Sequence, residues 1–204
     1  MLPRLLATNF YRNRRRKTFA ESANAHCFLE PHWRVIAQGF QTEAWLNDCQ
    51  FVGTGGILSP QPTHLRTGNY YYRFASGNSL REAQLGGGWW LDYENYKKIE
   101  TFAHQHGYPL RDAARLMLAL PYAWTRVDLK IRAMLAAPMK AYTGEGKPAK
   151  GAKDSADKDT IWIPTRHIKV CQLYIPGLFI KGSRPREQLY EKVFSSPIIE
   201  PLNY

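Results

Sequence analysis

An α+β domain is the fold class this sequence predicts, and three observations lead to it. The run YYYRFA, Tyr70 to Ala75, crowds aromatic residues around a single arginine, a composition that suits a buried strand. Further on, apolar residues recur every three to four positions, the period of an amphipathic helix. From Ile161 to Ile180 the chain turns to short β-rich runs punctuated by Pro and Gly. Strands before and after a helical middle define the class.

Taken in order, residues 1–18 form a basic arm. Arg4, Arg12, Arg14, Arg15, Arg16 and Lys17 stand there with no acid, so the arm carries six of the eleven net positive charges. Like charges this close repel, so the arm reads as exposed and mobile. It lacks the apolar core of a secretory signal, and its Arg-rich, acid-free character faintly resembles an organelle presequence. Residues 19–65 read as an accessory segment of short apolar pieces, ending in a Gly/Pro/Thr-rich linker from Gly53 to Gly68. Residues 66–204 are the expected catalytic domain.

Within that domain the YYYRFA strand leads through a glycine-rich turn to Trp89-Trp90. Asp92 then caps a helix whose Tyr93, Tyr96, Ile99, Phe102 and Ala103 share one face and which ends at Gly107. A second helix is expected over Arg111 to Leu120, stopped by Pro121. A third is expected over Thr125 to Ala137, with Val127, Ile131, Met134 and Leu135 on one side and Trp124 as a core wedge ahead of it. Ala141 to Asp159, rich in Gly, Pro, Lys and Asp, reads as a long exposed loop. Three strands follow, at Ile161 to Pro164, His167 to Ile175 and Leu178 to Ile180. A short helix, REQLYEKVF, and a proline-bounded tail close the chain.

Composition bounds the function. A chain of 204 residues, 44% hydrophobic and 22% charged, buries a core and is not wholesale disordered. A net charge of +11 favours nucleic acid, an anionic surface or an acidic protein as partner. Three scattered cysteines, Cys27, Cys49 and Cys171, make no disulfide framework and suit a reducing compartment. No apolar run reaches transmembrane length. His26, Cys27, His32 and Cys49 match none of the common zinc spacings, so no metal is expected.

The expected working site is Tyr70 to Leu91. An arginine in an aromatic strand needs an anion, because a guanidinium leaves water at a cost that a carboxylate or phosphate must offset. Gly88 next to Trp89-Trp90 offers close backbone approach and a flat face for a planar ring, so Tyr72, Arg73, Gly88, Trp89 and Trp90 read as a nucleotide cleft.

The order of Arg-bearing strand, glycine-rich aromatic turn, helices, long loop and C-terminal strands resembles the ADP-ribosyltransferase fold of bacterial toxins and effectors, over about residues 66–181. The resemblance implies a split β core with flanking helices, with NAD as the substrate consumed. It matches Arg73 to the arginine that holds the diphosphate, and Trp89 or Trp90 to the nicotinamide wall. The late glutamate of that family has no matching motif here. Gln172 keeps only a glutamine-like start, and Glu145 and Glu187 are the acids that could act as the catalytic carboxylate. Cleavage of the nicotinamide bond develops positive charge on the ribose, which a carboxylate stabilises.

The implied protein is thus an NAD-consuming transferase acting in the cytosol, that of a target cell included, on a protein, RNA or ribosome, with an acidic inhibitor protein as a further partner. The alternative is a basic nucleic-acid-binding protein or metal-independent ribonuclease toxin, in which arm and lysines contact phosphates and His104, His106 or His167 moves protons. A non-enzymatic protein docking an acidic partner is the third class.

Overall fold

The computed structural model describes residues 22–39, 55–152, 159–165, 167–179 and 187–202. The basic arm expected over residues 1–18, and Cys49, lie outside them.

The Arg-bearing run is a strand, β2 (Tyr70–Ala75), flanked in sequence by β1 (Gln61–Leu65) and a short helix, α2 (Arg81–Gly86). Helix α1 (Pro31–Gln38) precedes them, behind a 3-10 turn over Ala25–Leu29. Next come β3 (Trp89–Trp90), α3 (Tyr93–His106) and α4 (Leu110–Leu118). The chain continues through β4 (Leu129–Leu135), β5 (Met139–Glu145), β6 (Ala149–Ala152), β7 (Asp159–Trp162) and β8 (Cys171–Tyr174). Helix α5 (Leu189–Val193) runs directly into β9 (Phe194–Pro201).

All described pairings are antiparallel. One sheet has the order β1-β5-β8-β3, a second β2-β4-β9, and β6-β7 form a separate hairpin. Among the described residues the first two sheets meet at one bridge, where Tyr72 and Leu91 exchange backbone hydrogen bonds of 2.9 and 2.7 Å. The core sits between them: Leu65, Trp90, Ile131, Leu135, Met139, Leu173 and Phe194 form one cluster. Tyr96, Ile99, Ala114 and Met117 of α3 and α4 cover the other face of β2. Residues 22–39 pack on the opposite side of β5 and β8, where Asn24 bonds to the backbone of Lys140 and Pro176 and Ala37 joins Tyr142 and Tyr174.

Helix α3 follows its sequence signals. Asp92 accepts the Asn95 N–H at 2.8 Å as the N-terminal cap, and Gly107 takes the left-handed conformation that closes the helix. Helix α4 begins after Pro109, and Ala119 turns the chain ahead of Pro121.

Several expectations are corrected. The third helix expected over Thr125 to Ala137 is strand β4: Ile131, Ala133 and Leu135 alternate into the core with no exposure, and β2 and β9 pair on either side. The loop expected from Ala141 to Asp159 contains most of β5 and all of β6, and β7 starts at its end. The linker from Gly53 to Gly68 holds β1, the strand expected at Leu178 to Ile180 is not one over its described residues, and the tail is strand β9. For β1, β4, β5 and β9 the pairing partner is distant in sequence, so local composition carried no trace of it.

Candidate functional site

A cavity of about 560 Å³ opens beside the junction of the two main sheets, within the size range of small-molecule sites. Arg73 of β2, Trp89 and Trp90 of β3 and Gln172 of β8 line it, together with Ser76, Trp124, Thr125 and Lys147. Ile36 and Gly39 bring the N-terminal segment to its rim.

Arg73 is its chemical centre. Part of the side chain reaches the cavity, while Nε and Nη1 are closed from solvent and have no hydrogen-bond partner. No ion pair among the described residues involves it. Burial alone pushes the guanidinium down to about 10, with no neighbouring charge to offset the loss of water. Among the described residues it is flanked by the Trp90 ring, 5.6 Å from Cζ to the centroid.

The three glycines of the turn make room for the protein's own side chains. A Cβ at Gly87 would run into the Arg73 guanidinium, and one at Gly88 would stand 2.6 Å from the Tyr174 ring. Gly87 also accepts the Trp90 indole N–H at 2.7 Å. Trp90 is thereby a core residue, 2% exposed, that packs on Phe194, whereas Trp89 is partly exposed and leans on Tyr174 at 5.0 Å.

The opposite wall is the loop from Ala119 to Val127. Arg115 of α4, 2% exposed, shapes it by donating to the carbonyls of Leu120, Thr125 and Arg126 and stacking its guanidinium 3.6 Å from the Tyr122 ring centroid. Ser76 and Thr125 share a hydroxyl hydrogen bond of 3.2 Å that ties this loop to the end of β2. Trp124, expected in the core, is 46% exposed and lines the cavity, its ring lying over Gly55 where a side chain would collide.

The cavity thus gathers Arg73, Trp89, Trp90 and Gln172 from the expected site and leaves the other members elsewhere. Tyr72 points the other way, stacked on Tyr96 at 4.2 Å and facing a second cavity of about 690 Å³. Gly88 serves the Tyr174 ring. Glu145 ends β5 with its carboxylate 2.8 Å from Lys169, and Glu187 is exposed; neither lines the cavity. His104, His106 and His167 are exposed and lie outside it too. Sequence reading missed Lys147, whose place at the rim comes from the Lys147 N–H to Gly56 carbonyl bond of 2.9 Å.

With Arg73 and Lys147 as its charged lining and no carboxylate among the described residues, the cavity is electropositive and suited to an anion carrying a planar group. Among the described residues no group of three or more His, Cys, Asp or Glu is placed to hold a metal, and no helix is long and apolar enough to cross a membrane. Comparison of the chain with protein-family models, curated proteins and solved structures gave no match.

Proposed function

We propose that this cleft binds a dinucleotide of the NAD kind, and that the domain is an ADP-ribosyltransferase-like module in which Arg73 holds the diphosphate. The observation that carries the reading is the half-desolvated, unpartnered guanidinium facing a cavity of ligand size. A buried cation without an anion is a standing cost, and a bound diphosphate would remove it through the two-pronged geometry that arginine alone offers. Lys147 supplies a second cation, and Trp89 and Trp124 supply flat faces for a base or a pyridine ring.

Binding is the part of the expected activity that this geometry supports best. Scission of the nicotinamide bond calls for a carboxylate at the anomeric carbon, and Glu145 and Glu187 lie outside the lining.

Thermal denaturation with and without NAD tests the reading. Saturating NAD, at a hundred times its Kd, should stabilise the wild type by about 2.7 kcal/mol. Arg73→Lys, which keeps the charge and loses the fork, should fold and show most of that stabilisation gone. Equal NAD stabilisation in both proteins, or none in the wild type, would overturn it.

A further inference from the structure

Building on the NAD-binding reading, we infer that Trp124 is the base platform of this cleft: its indole stacks on the adenine, so the site grips the ADP half of the dinucleotide and takes nucleoside diphosphates that carry no nicotinamide. Among the described residues three indoles line the cavity, and they differ in how much of each is left for a ligand. Trp90 is 2% exposed and packed on Phe194. Trp89 packs against the cluster of Ala37, Ile57, Tyr142 and Tyr174, its ring tilted onto Tyr174. Trp124 lines the cavity with 46% of its surface open.

Trp124 is held in place before any ligand arrives. Its backbone N–H donates to the Pro121 carbonyl at 3.0 Å, and the next two residues, Thr125 and Arg126, give their carbonyls to the Arg115 guanidinium at 2.9 and 2.6 Å. The far edge of the ring, Cη2 and Cζ3, lies over Gly55, where a Cβ would stand 2.5 Å from it, and Nε1 lies 3.8 Å from where a Cβ would be at Gly151 of β6. Glycine at both ends lets the indole lie close to backbone. A clamped ring gives up little freedom on stacking, and a base laid on it would cover apolar surface now left in water.

The same cavity supplies the anion site. Arg73 Nε and Nη1 are unpartnered and Lys147 stands at the rim, so the ligand that satisfies the cavity joins a planar ring to a diphosphate. The hydroxyls of Ser76 and Thr125 belong to the same lining and suit a ribose. Stacking on an aromatic side chain is worth about 5- to 150-fold in affinity per base. Pyrophosphate carries the anion without the ring and ADP carries both, so the change in their affinity ratio on substitution of Trp124 isolates what the indole supplies.

The test uses the full chain and calorimetric titration with pyrophosphate, ADP and NAD. Wild type should bind ADP at least about tenfold more tightly than pyrophosphate, and NAD within about tenfold of ADP. Trp124→Leu should lose that advantage, with pyrophosphate affinity staying within about twofold of wild type. Trp124→Phe keeps a π-face and should recover most of it. Should Trp124→Leu not fold, Trp124→Met takes its place, with the same loss expected. ADP no tighter than pyrophosphate in the wild type, or an undiminished advantage in a folded Trp124→Leu or Trp124→Met protein, would overturn the proposal. So would an equal loss for pyrophosphate and ADP, which would make Trp124 a prop for the cleft and not a platform. ADP bound through Trp124 without any binding of NAD would uphold the platform and overturn the NAD reading. Absence of binding by all three ligands would sink both.

Discussion

Replacing Arg73 by methionine should raise the stability of the ligand-free protein, the opposite of what removing a buried arginine usually does. The downward push on its guanidinium, from its usual strongly basic value to about 10 by burial alone, corresponds to a penalty on the order of 3 kcal/mol in holding the charge. Methionine keeps most of the aliphatic stem and removes that penalty. Against it stands the loss of the Trp90 interaction, worth about 0.5–1 kcal/mol, and the space left beside Gly87. The net expectation is a gain of about 1–2 kcal/mol, or a Tm higher by about 2–8 °C for a chain of this size. Scanning calorimetry without ligand measures it. A Tm that falls by several degrees would refute the reasoning, because it would mean that Arg73 serves the fold and not a ligand. Arg115 supplies the control: it is buried, and its two terminal nitrogens donate to three carbonyls, so Arg115→Met strands those carbonyls and should cost about 3 kcal/mol, lowering the Tm by about 6–12 °C.

The remaining expectations are smaller. Gly87 sits at φ −63°, which any residue adopts, and its added methyl would displace the Arg73 guanidinium, the far end of a flexible side chain; Gly87→Ala should therefore shift the Tm by less than about 3 °C while abolishing NAD-induced stabilisation. Unchanged NAD stabilisation would show that the guanidinium position is irrelevant to binding. Cys27 is buried, and burial, with Glu30 next, pushes its thiol up to about 11. Site-resolved alkylation at pH 8 should leave it unmodified in the folded protein and modify it in urea, and rapid labelling of the native protein would contradict its packing.

Loss of an ionic contact with acid is expected at α3. Lys97 holds the Glu100 carboxylate below the usual carboxylate range, with Tyr96 adding a hydrogen bond. A depressed carboxylate stabilises above its unfolded pKa and loses that contribution as pH falls through the folded value, so Glu100→Gln should be less stable than wild type near neutrality and converge on it as pH falls below about 4.3. A parallel downward shift at all pH values would place the effect in packing.

Elements whose causes are local were legible before the structure. Asp92 and Gly107 delimit α3 because a cap and a left-handed turn each act within a few residues. Arg73 could be singled out because a cation among aromatic rings is a local anomaly with a general physical meaning. The segment around β4 shows the opposite case. Val127, Ile131, Met134 and Leu135 satisfy a helical spacing, and the competing alternation of Ile131, Ala133 and Leu135 is muted by the small alanine in its centre. Only the partners β2 and β9 decide between the two.

The same division runs through the cleft. Its aromatic walls and its cation were written in one stretch of chain, from Tyr70 to Trp90, and were read there. That Gln172 lines the same cavity as this cation, that Glu145 does not, and that Trp124 and Lys147 complete the rim were settled by the register of β5 against β8 and by the loop that Arg115 holds. Residue chemistry is a property of each amino acid and survives unfolding. Which side chains share a cavity depends on a strand period of two, and a shift of one position in pairing would bring Gln172 and Glu145 to the same face, so that choice belongs to the tertiary structure.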